Sequence, residues 1–339
     1  MSACQWVAPE DPVYAAALAQ HPAADVYHDP HYLRSVAVDG EVRILLAPTL
    51  ILPLVVRPLP AWLAAPELRD AESPYGYAAP LLSGQVDWSA VSTALVEQGV
   101  INAFLRNHPL QDWGDASGDG LGLPPVTCSP VAVIPLAEGR AQAFTGGRCS
   151  THRSQVKRAL AQGFAVELVE APTDLSAFRA LYEQTMERLQ AADFYCFGDA
   201  AWQHLLHLGS RLALATVRDG AGVVHTQALF LRGSRFAHYH LSARSADAHN
   251  AAGHLQFEAA ADWAASHGCS AIHLGGGTTG REDDGLLAYK RRIGRGDALF
   301  RTAGLIADTA QHTALTARWQ ERSSAAPARW FQAYRQPLP

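Results

Sequence analysis

The stretch from Ser270 to Gly294, S-A-I-H-L-G-G-G-T-T-G-R-E-D-D-G-L-L-A-Y-K-R-R-I-G, decides how the rest of the chain is read. An apolar strand, Ala271 to Leu274, breaks into Gly275, Gly276 and Gly277, loops through Thr278 to Asp283, and restarts as a short helix carrying Tyr289 and Lys290. Consecutive glycines carry no Cβ and let backbone approach backbone or a ligand closely, so this strand end is a candidate site. Of the 27 basic residues only Lys157 and Lys290 are lysine. Lysine is a compact point charge whose pKa moves on burial, unlike arginine. Lys290 is therefore either a catalytic cation or a surface member of the basic run Lys290, Arg291, Arg292.

Working upstream, a helix at His254–His267 feeds this strand, preceded by a loop, Ala243–Gly253. Before it lie three strands, Arg211–Arg218, Val223–Arg232 and Arg235–Ser242, joined by Asp219-Gly220-Ala221-Gly222 and by Gly233-Ser234, which reads as an antiparallel meander. On the third strand Phe236, His238 and His240 alternate with Ala237, Tyr239 and Leu241. The His238-x-His240 pair has no third ligand at suitable spacing, so no metal site is expected. Helices are expected at Ala141–Phe144, Thr151–Gln162, Asp174–Gln190 and Asp199–Gly209, with a strand at Phe164–Glu170. Arg153 and Lys157 are i, i+4 neighbours on one helix face, which is either a phosphate-contacting patch or a solvated surface. Arg188 sits off the apolar stripe of the Asp174–Gln190 helix, just ahead of the aromatic turn A-D-F-Y-C-F-G. Downstream of the opening stretch come a strand, Ala298–Ala307, and two arginine-bearing helices, Thr309–Arg322 and Ala328–Tyr334.

The first half reads as helices at 12–20 and 31–37, strands at 42–46 and 50–56, a helix at 87–99, and strands at 101–106 and 126–136. Between them, S-P-Y-G-Y-A-A-P-L-L (73–82) is a rigid loop held by prolines, carrying Tyr75 and Tyr77. Such tyrosines either line a pocket or cover a core edge. Gln111 to Pro125, rich in Gly and Asp, reads as a surface loop.

The chain of 339 residues is long for one core and comfortable for two domains. Residues 1–139 hold 5 Arg against 15 Asp and Glu, whereas residues 140–339 hold 22 Lys and Arg against 17. A cationic second half is suited to steering a polyanion. No apolar run approaches the ~20 residues needed to span a bilayer, and the N-terminus lacks a secretory pattern. The five cysteines are scattered and odd in number, which argues against a disulfide framework or a zinc site. A reducing cytoplasm is the expected location.

Several segments taken in order resemble the FemABX family, tRNA-dependent aminoacyl transferases built from two GNAT-like domains that extend peptidoglycan precursors. They are S-P-Y-G-Y-A-A-P-L (73–81), F-L-R-N-H-P (104–109), R-S-Q-V-K-R-A-L-A-Q-G (153–163), L-Y-E-Q-T-M-E-R (181–188), H-L-G-G-G (273–277) and L-L-A-Y-K-R-R-I-G (286–294). The resemblance implies an α+β fold of two GNAT-like domains, each a mostly antiparallel mixed sheet flanked by helices. The first domain would hold residues 1–138 plus 303–339 and the acceptor pocket; the second, 139–302, would hold the donor and catalytic half. It implies a catalytic pair, Tyr289 and Lys290. Substrate would meet Tyr75, Tyr77, Arg188, Tyr239 and Gly275–Gly277, and tRNA phosphates would meet Arg153, Lys157, Arg244, Arg291 and Arg292.

The implied partners are aminoacyl-tRNA and an amine-bearing acceptor, a peptidoglycan precursor or a small peptide or amine, with no cofactor and no integral membrane segment. Attack of an amine on an aminoacyl ester passes through an oxyanion that Lys290 can stabilise, and Glu258 and Asp284 are candidate proton acceptors. An acyl-CoA-dependent N-acyltransferase is the alternative on the same fold, although the loop Arg244–Gly253 lacks the Q/R-x-x-G-x-G/A signature that cradles pyrophosphate. A non-catalytic binding module with a degenerate GNAT cleft is a third reading. The chain also departs from the family: no pair of long heptad helices is present, Val36 stands where a lysine is often found, and tyrosine precedes Lys290 in place of phenylalanine.

Overall fold

The computed structural model describes residues 4–37, 39–111, 125–191, 196–323 and 330–337. In chain order the elements begin with β1 (Gln5–Val7), α1 (Pro12–Gln20), α2 (Pro30–Ser35), β2 (Glu41–Ala47), β3 (Leu50–Pro58), β4 (Arg69–Glu72), β5 (Leu81–Leu82), α3 (Trp88–Val96) and β6 (Val100–Arg106). Next come β7 (Pro125–Pro135), α4 (Ser150–Ala161), β8 (Ala165–Glu170), α5 (Ser176–Arg188), α6 (Asp199–Leu206), β9 (Leu212–Arg218), β10 (Val224–Arg232) and β11 (Phe236–Arg244). The chain closes with α7 (Ala252–Ser266), β12 (Ala271–Gly275), α8 (Gly285–Arg291), β13 (Gly296–Ile306) and α9 (Thr309–Arg322). The expected surface loop between Gln111 and Pro125 and most of the aromatic turn at 192–198 lie outside the described residues.

Two compact units emerge, one of residues 1–24, 36–128 and 300–339, the other of 25–35 and 129–299. In the first, β1, β2, β3 and β4 pair antiparallel in sequence order and β5 pairs with the edge of β3. Helix α3 then carries the chain across so that β6 lies parallel to β4, and β13 from Phe300 onward adds antiparallel to β6. A parallel neighbour requires such a crossover, because a tight hairpin can only reverse the chain. Leu45, Leu52, Leu54, Val91, Leu95, Val100 and Leu105 fill the core between this sheet and α3. Over the same unit, Leu315 and Trp319 of α9 bury against Leu59, Leu63 and Ile101.

The second unit repeats the plan. Strands β8, β9, β10 and β11 form the antiparallel meander, α7 crosses over, and β12 lies parallel to β11. Here β7 closes the sheet, antiparallel to β12, with Ile272 opposite Ile134. Helix α7 is rich in alanine on its buried face, and Ala260, Ala261 and Ala264 let it settle closely on Phe230, Ile134 and Ile272. The fold is thus mixed α/β, with a mixed, mostly antiparallel sheet flanked by helices in each unit.

The division between the units falls within β7, after Cys128, and residues 132–135 of that strand are ladder partners of β12. Three short strands, β1, β4 and β5, were not expected. A 3-10 turn, Arg140–Gln142, replaces the expected helix at 141–144, and only a 3-10 turn, Ala333–Arg335, is described within 328–334.

Residues 25–35, early in the sequence, belong to the second unit. Asp25 is buried against His238 of β11, Oδ1 to Nε2 at 2.9 Å, and the Tyr27 ring packs edge-on to the same imidazole at 4.6 Å. A Cβ on Gly233 would collide with the Asp25 carboxylate, so the glycine between β10 and β11 is what admits this segment. Arg211 then pairs with Asp29 at the start of α2.

Candidate active site

The Gly-rich strand end of the second unit is closed by one carboxylate. Asp284 caps α8: its Oδ1 accepts from the backbone N–H groups of Leu286 and Leu287 at 2.9 and 3.0 Å. Its Oδ2 accepts from the backbone N–H and the hydroxyl of both Thr278 and Thr279, at 2.9 to 3.0 Å. These donors, with the Leu287 and Thr279 amides foremost, hold the carboxyl well below the usual range and keep it ionised. A Cβ at Gly277 would overlap Asp284. The glycine is there to let the loop wrap its own anchor.

Tyr289 and Lys290 are neighbours on α8, so their side chains leave the helix about 100° apart. Lys290 is buried, and its Nζ donates to the carbonyl of Gly276 at 2.8 Å. Among the described residues it forms no ion pair, and burial pushes its pKa down to about 8, opposed only in part by Asp284. Tyr289 turns the other way, toward α7, its ring edge-on to His254 at 5.6 Å. Burial raises its hydroxyl far above the ordinary phenol, so it stays neutral. Tyr239 on β11 is raised in the same way, and Gln256 of α7 reaches its hydroxyl at 3.5 Å.

Beneath Tyr289 runs a buried chain of polar groups. His254 Nδ1 lies 2.9 Å from His152 Nδ1, and His152 Nε2 lies 2.9 Å from Glu258 Oε1. Arg140 closes the chain with an ion pair to Glu258. Burial alone would raise the Glu258 pKa, but the hydrogen bonds from His152 and Arg140 outweigh it and lower the group. With Glu258 ionised and the His152 imidazole neutral, His152 donates from Nε2 and accepts at Nδ1, so His254 carries its proton on Nδ1 and keeps a lone pair on Nε2. Burial, with His152 and Arg292 nearby, pushes His254 down to about 4, so the imidazole rests neutral. Of this chain the sequence pointed to Glu258 alone. The available signal was His254 and Glu258 at i, i+4 on one helix; His152, 102 positions from His254, carries none.

The other candidate residues divide. Arg188 donates to the carbonyl of Arg244 at 2.8 Å, which brings the end of α5 to the end of β11. Arg244 in turn donates to Ala248 O at 2.9 Å and Asn250 Oδ1 at 3.3 Å, and its charge reaches both Tyr239 and Tyr289. Arg153 is turned back to the carbonyls of Phe144 and Gly146, at 2.7 and 2.8 Å. Arg291 pairs with Glu282 at 2.6 Å and Asp297 at 2.9 Å, while Arg292 reaches Ala288 O at 3.2 Å and is exposed, as is Lys157. Gly275 and Gly276 are half-buried beside Lys290. Tyr75 and Tyr77 belong to the first unit, where Tyr77 stands edge-on to Phe300 at 5.5 Å. Two surface concavities of the first unit, one around Arg43, Arg69 and Glu97 and one around Val13, Leu46 and Ile51, contain none of the candidate residues.

Residues 148–291, which carry α4 through α8, match the family model of an acetyltransferase (GNAT) domain. No curated protein matches the chain. Among solved structures, a crystal structure of FemX aligns with a TM-score of 0.65 at 14% identity, over 91% of this chain and 99% of that one. The C-terminal domain of a putative lysylphosphatidylglycerol synthetase from Agrobacterium fabrum aligns with a TM-score of 0.58 at 15% identity, over 93% and 97%. L-PGS from Bacillus licheniformis does so at 0.55 and 11% identity, over 86% and 91%. The chain therefore has a FemX-like fold containing a GNAT domain, and this supports an acyltransferase. No helix among the described residues is long and apolar enough to cross a membrane.

Proposed function

We propose that the protein moves an aminoacyl group from aminoacyl-tRNA to an amine, forming an amide without a metal or redox cofactor. The observation that carries this reading is Lys290: a buried lysine with no carboxylate partner among the described residues, fixed on Gly276 O at the strand end of the GNAT domain. A charge so placed costs stability and is explained by an anion that forms beside it. FemX, the putative lysylphosphatidylglycerol synthetase domain and L-PGS support an aminoacyl donor over a simple acyl one. The acceptor would be a peptidoglycan precursor or a small peptide or amine, and the cytoplasm, where charged tRNA is found, the place of reaction.

In this mechanism the neutral acceptor amine attacks the ester carbonyl, and the Lys290 ammonium stabilises the tetrahedral oxyanion. The new ammonium gives its excess proton to His254 Nε2, whose lone pair His152 and Glu258 hold in place. Collapse breaks the ester C–O bond, and the terminal ribose oxygen of the tRNA leaves as a hydroxyl, taking up the proton that His254 accepted. Tyr239 and Tyr289 would line the aminoacyl pocket as neutral phenols, Arg188 and Arg244 would frame it, and Gly275–Gly277 would border the oxyanion. Lys157 and Arg292, exposed, and Arg153 and Arg291, whose guanidinium groups already have partners, would contact tRNA phosphates.

The test is transfer of a labelled amino acid from bulk charged tRNA to an amine pool, by wild type and by Lys290→Met. Retention of near-full activity in the variant removes Lys290 from the mechanism. The second reading, an acyl-CoA-dependent N-acyltransferase, is favoured by the acetyltransferase description of the matching domain model. It predicts turnover of acyl-CoA with no use of tRNA. Binding of RNA or amine without turnover of either donor would point to a non-catalytic module.

A further inference from the structure

We infer that His31, His204 and His207 form a site for one divalent transition-metal ion of the zinc class. His31 stands in the first turn of α2, His204 in the last turn of α6, and His207 caps that helix. One ring nitrogen from each lies within 4.8 Å of the other two. The ring centroids are 5.0 Å apart for His31 and His207, 6.1 Å for His31 and His204, and 6.3 Å for His204 and His207.

Zn–N bonds of about 2.0–2.1 Å in a tetrahedral shell place imidazole nitrogens about 3.4 Å apart. His31 and His207 are both exposed, and rotation of their side chains is the movement that would bring the rings to that spacing. His204 and His207 at i, i+3 project from the same side of one helix end, which fixes two ligands before the ion arrives.

The state of the ring nitrogens sets this group apart. His152, His225, His238, His249 and His267 each hydrogen-bond through a ring nitrogen to a protein group. Those of His31 and His207 make no hydrogen bond or ion pair among the described residues; the backbone N–H of His31 donates to Asp29 Oδ1 at 2.8 Å. Three convergent imidazoles are a donor set for Zn²⁺, Co²⁺, Ni²⁺ or Cu²⁺, and not for Mg²⁺ or Ca²⁺, which take oxygen. Structural zinc sites are closed by four protein ligands, so three leave a fourth position for water or an outside ligand.

The location also gives the ion something to do. Helix α2 lies in the segment 25–35, which joins the second unit from the far end of the sequence. The pairs Asp25–His238 and Arg211–Asp29 already hold that segment, and an ion bridging α2 to α6 would be a third staple.

The experiment uses the full chain, purified without a histidine tag, stripped with EDTA and titrated calorimetrically with Zn²⁺, with Mg²⁺ as the control. Replacement of Zn²⁺ by Co²⁺ gives d–d absorption that reports the ligand shell. Expected are one Zn²⁺ per chain, no response to Mg²⁺, a Zn²⁺-dependent rise in Tm, and loss of more than about tenfold in affinity in both His31→Ala and His207→Ala. Both residues are exposed, so the metal-free variants should melt like the metal-free wild type. Absence of stoichiometric Zn²⁺ binding overturns the inference. So does binding left unchanged by His31→Ala, which would put the ion elsewhere, for example at the exposed Cys128 or Cys196.

Discussion

The second unit contains two groups of histidines with opposite construction. In the buried one, both ring nitrogens of His152 are taken, by His254 and by Glu258, and the order of donors is fixed by the carboxylate at its end. In the other, His31 and His207 face solvent with their ring nitrogens unspent among the described residues. The first arrangement settles where a proton sits; the second leaves lone pairs open to a cation. Residue type alone therefore says little about a histidine, and its partners say most of it.

The strongest way to separate the two groups is to disable the site that the buried one serves. Lys290→Met should reduce transfer by at least about 10²-fold, as loss of a preorganised oxyanion partner does. It should also stabilise the fold. The folded pKa of Lys290, about 8, lies below its ordinary 10.5, so the unfolded chain holds more protons between those values. Stability of the wild type accordingly rises with pH across that window, and the variant should lack the rise and gain up to about 3 kcal/mol at neutral pH. Urea melts of both proteins at neutral pH and near pH 10 read this directly.

A smaller effect is expected at the far end of the buried chain. Glu258→Gln removes the charge that orders His152, and kcat should fall by about 10²-fold with KM little changed. A structural role would instead lower Tm and spare kcat. In the wild type, kcat should decline as pH rises through about 8, where Lys290 loses its charge, and Lys290→Arg should shift that decline upward. Smallest of all, His31→Ala should leave transfer intact while Zn²⁺ no longer raises Tm; an equal loss of transfer would mean the two groups are not independent.

The strand, Gly-Gly-Gly loop and short helix of residues 270–294 were legible because local spacing dictates them, and the meander at 211–242 because its turns carry Asp and Gly. Strands β1, β4 and β5 were not, being too short to show a period. What sequence conceals most is what distance along the chain brings together. Asp25 and His238 are 213 positions apart, and nothing in D-V-Y-H-D-P announces that the segment docks on β11. His152 is concealed in the same way. The glycines were legible as a place of close approach, and at Gly277 the group that approaches is the Asp284 carboxylate.

The most direct test of the account is single-turnover transfer with two donors side by side, bulk aminoacyl-tRNA and acetyl-CoA, with an amine pool as acceptor, at low and high salt. The account predicts amide product from aminoacyl-tRNA alone, abolished in Lys290→Met, with tRNA affinity that falls steeply as salt rises. Product from acetyl-CoA with no affinity for tRNA would contradict it and leave an ordinary acyltransferase in its place.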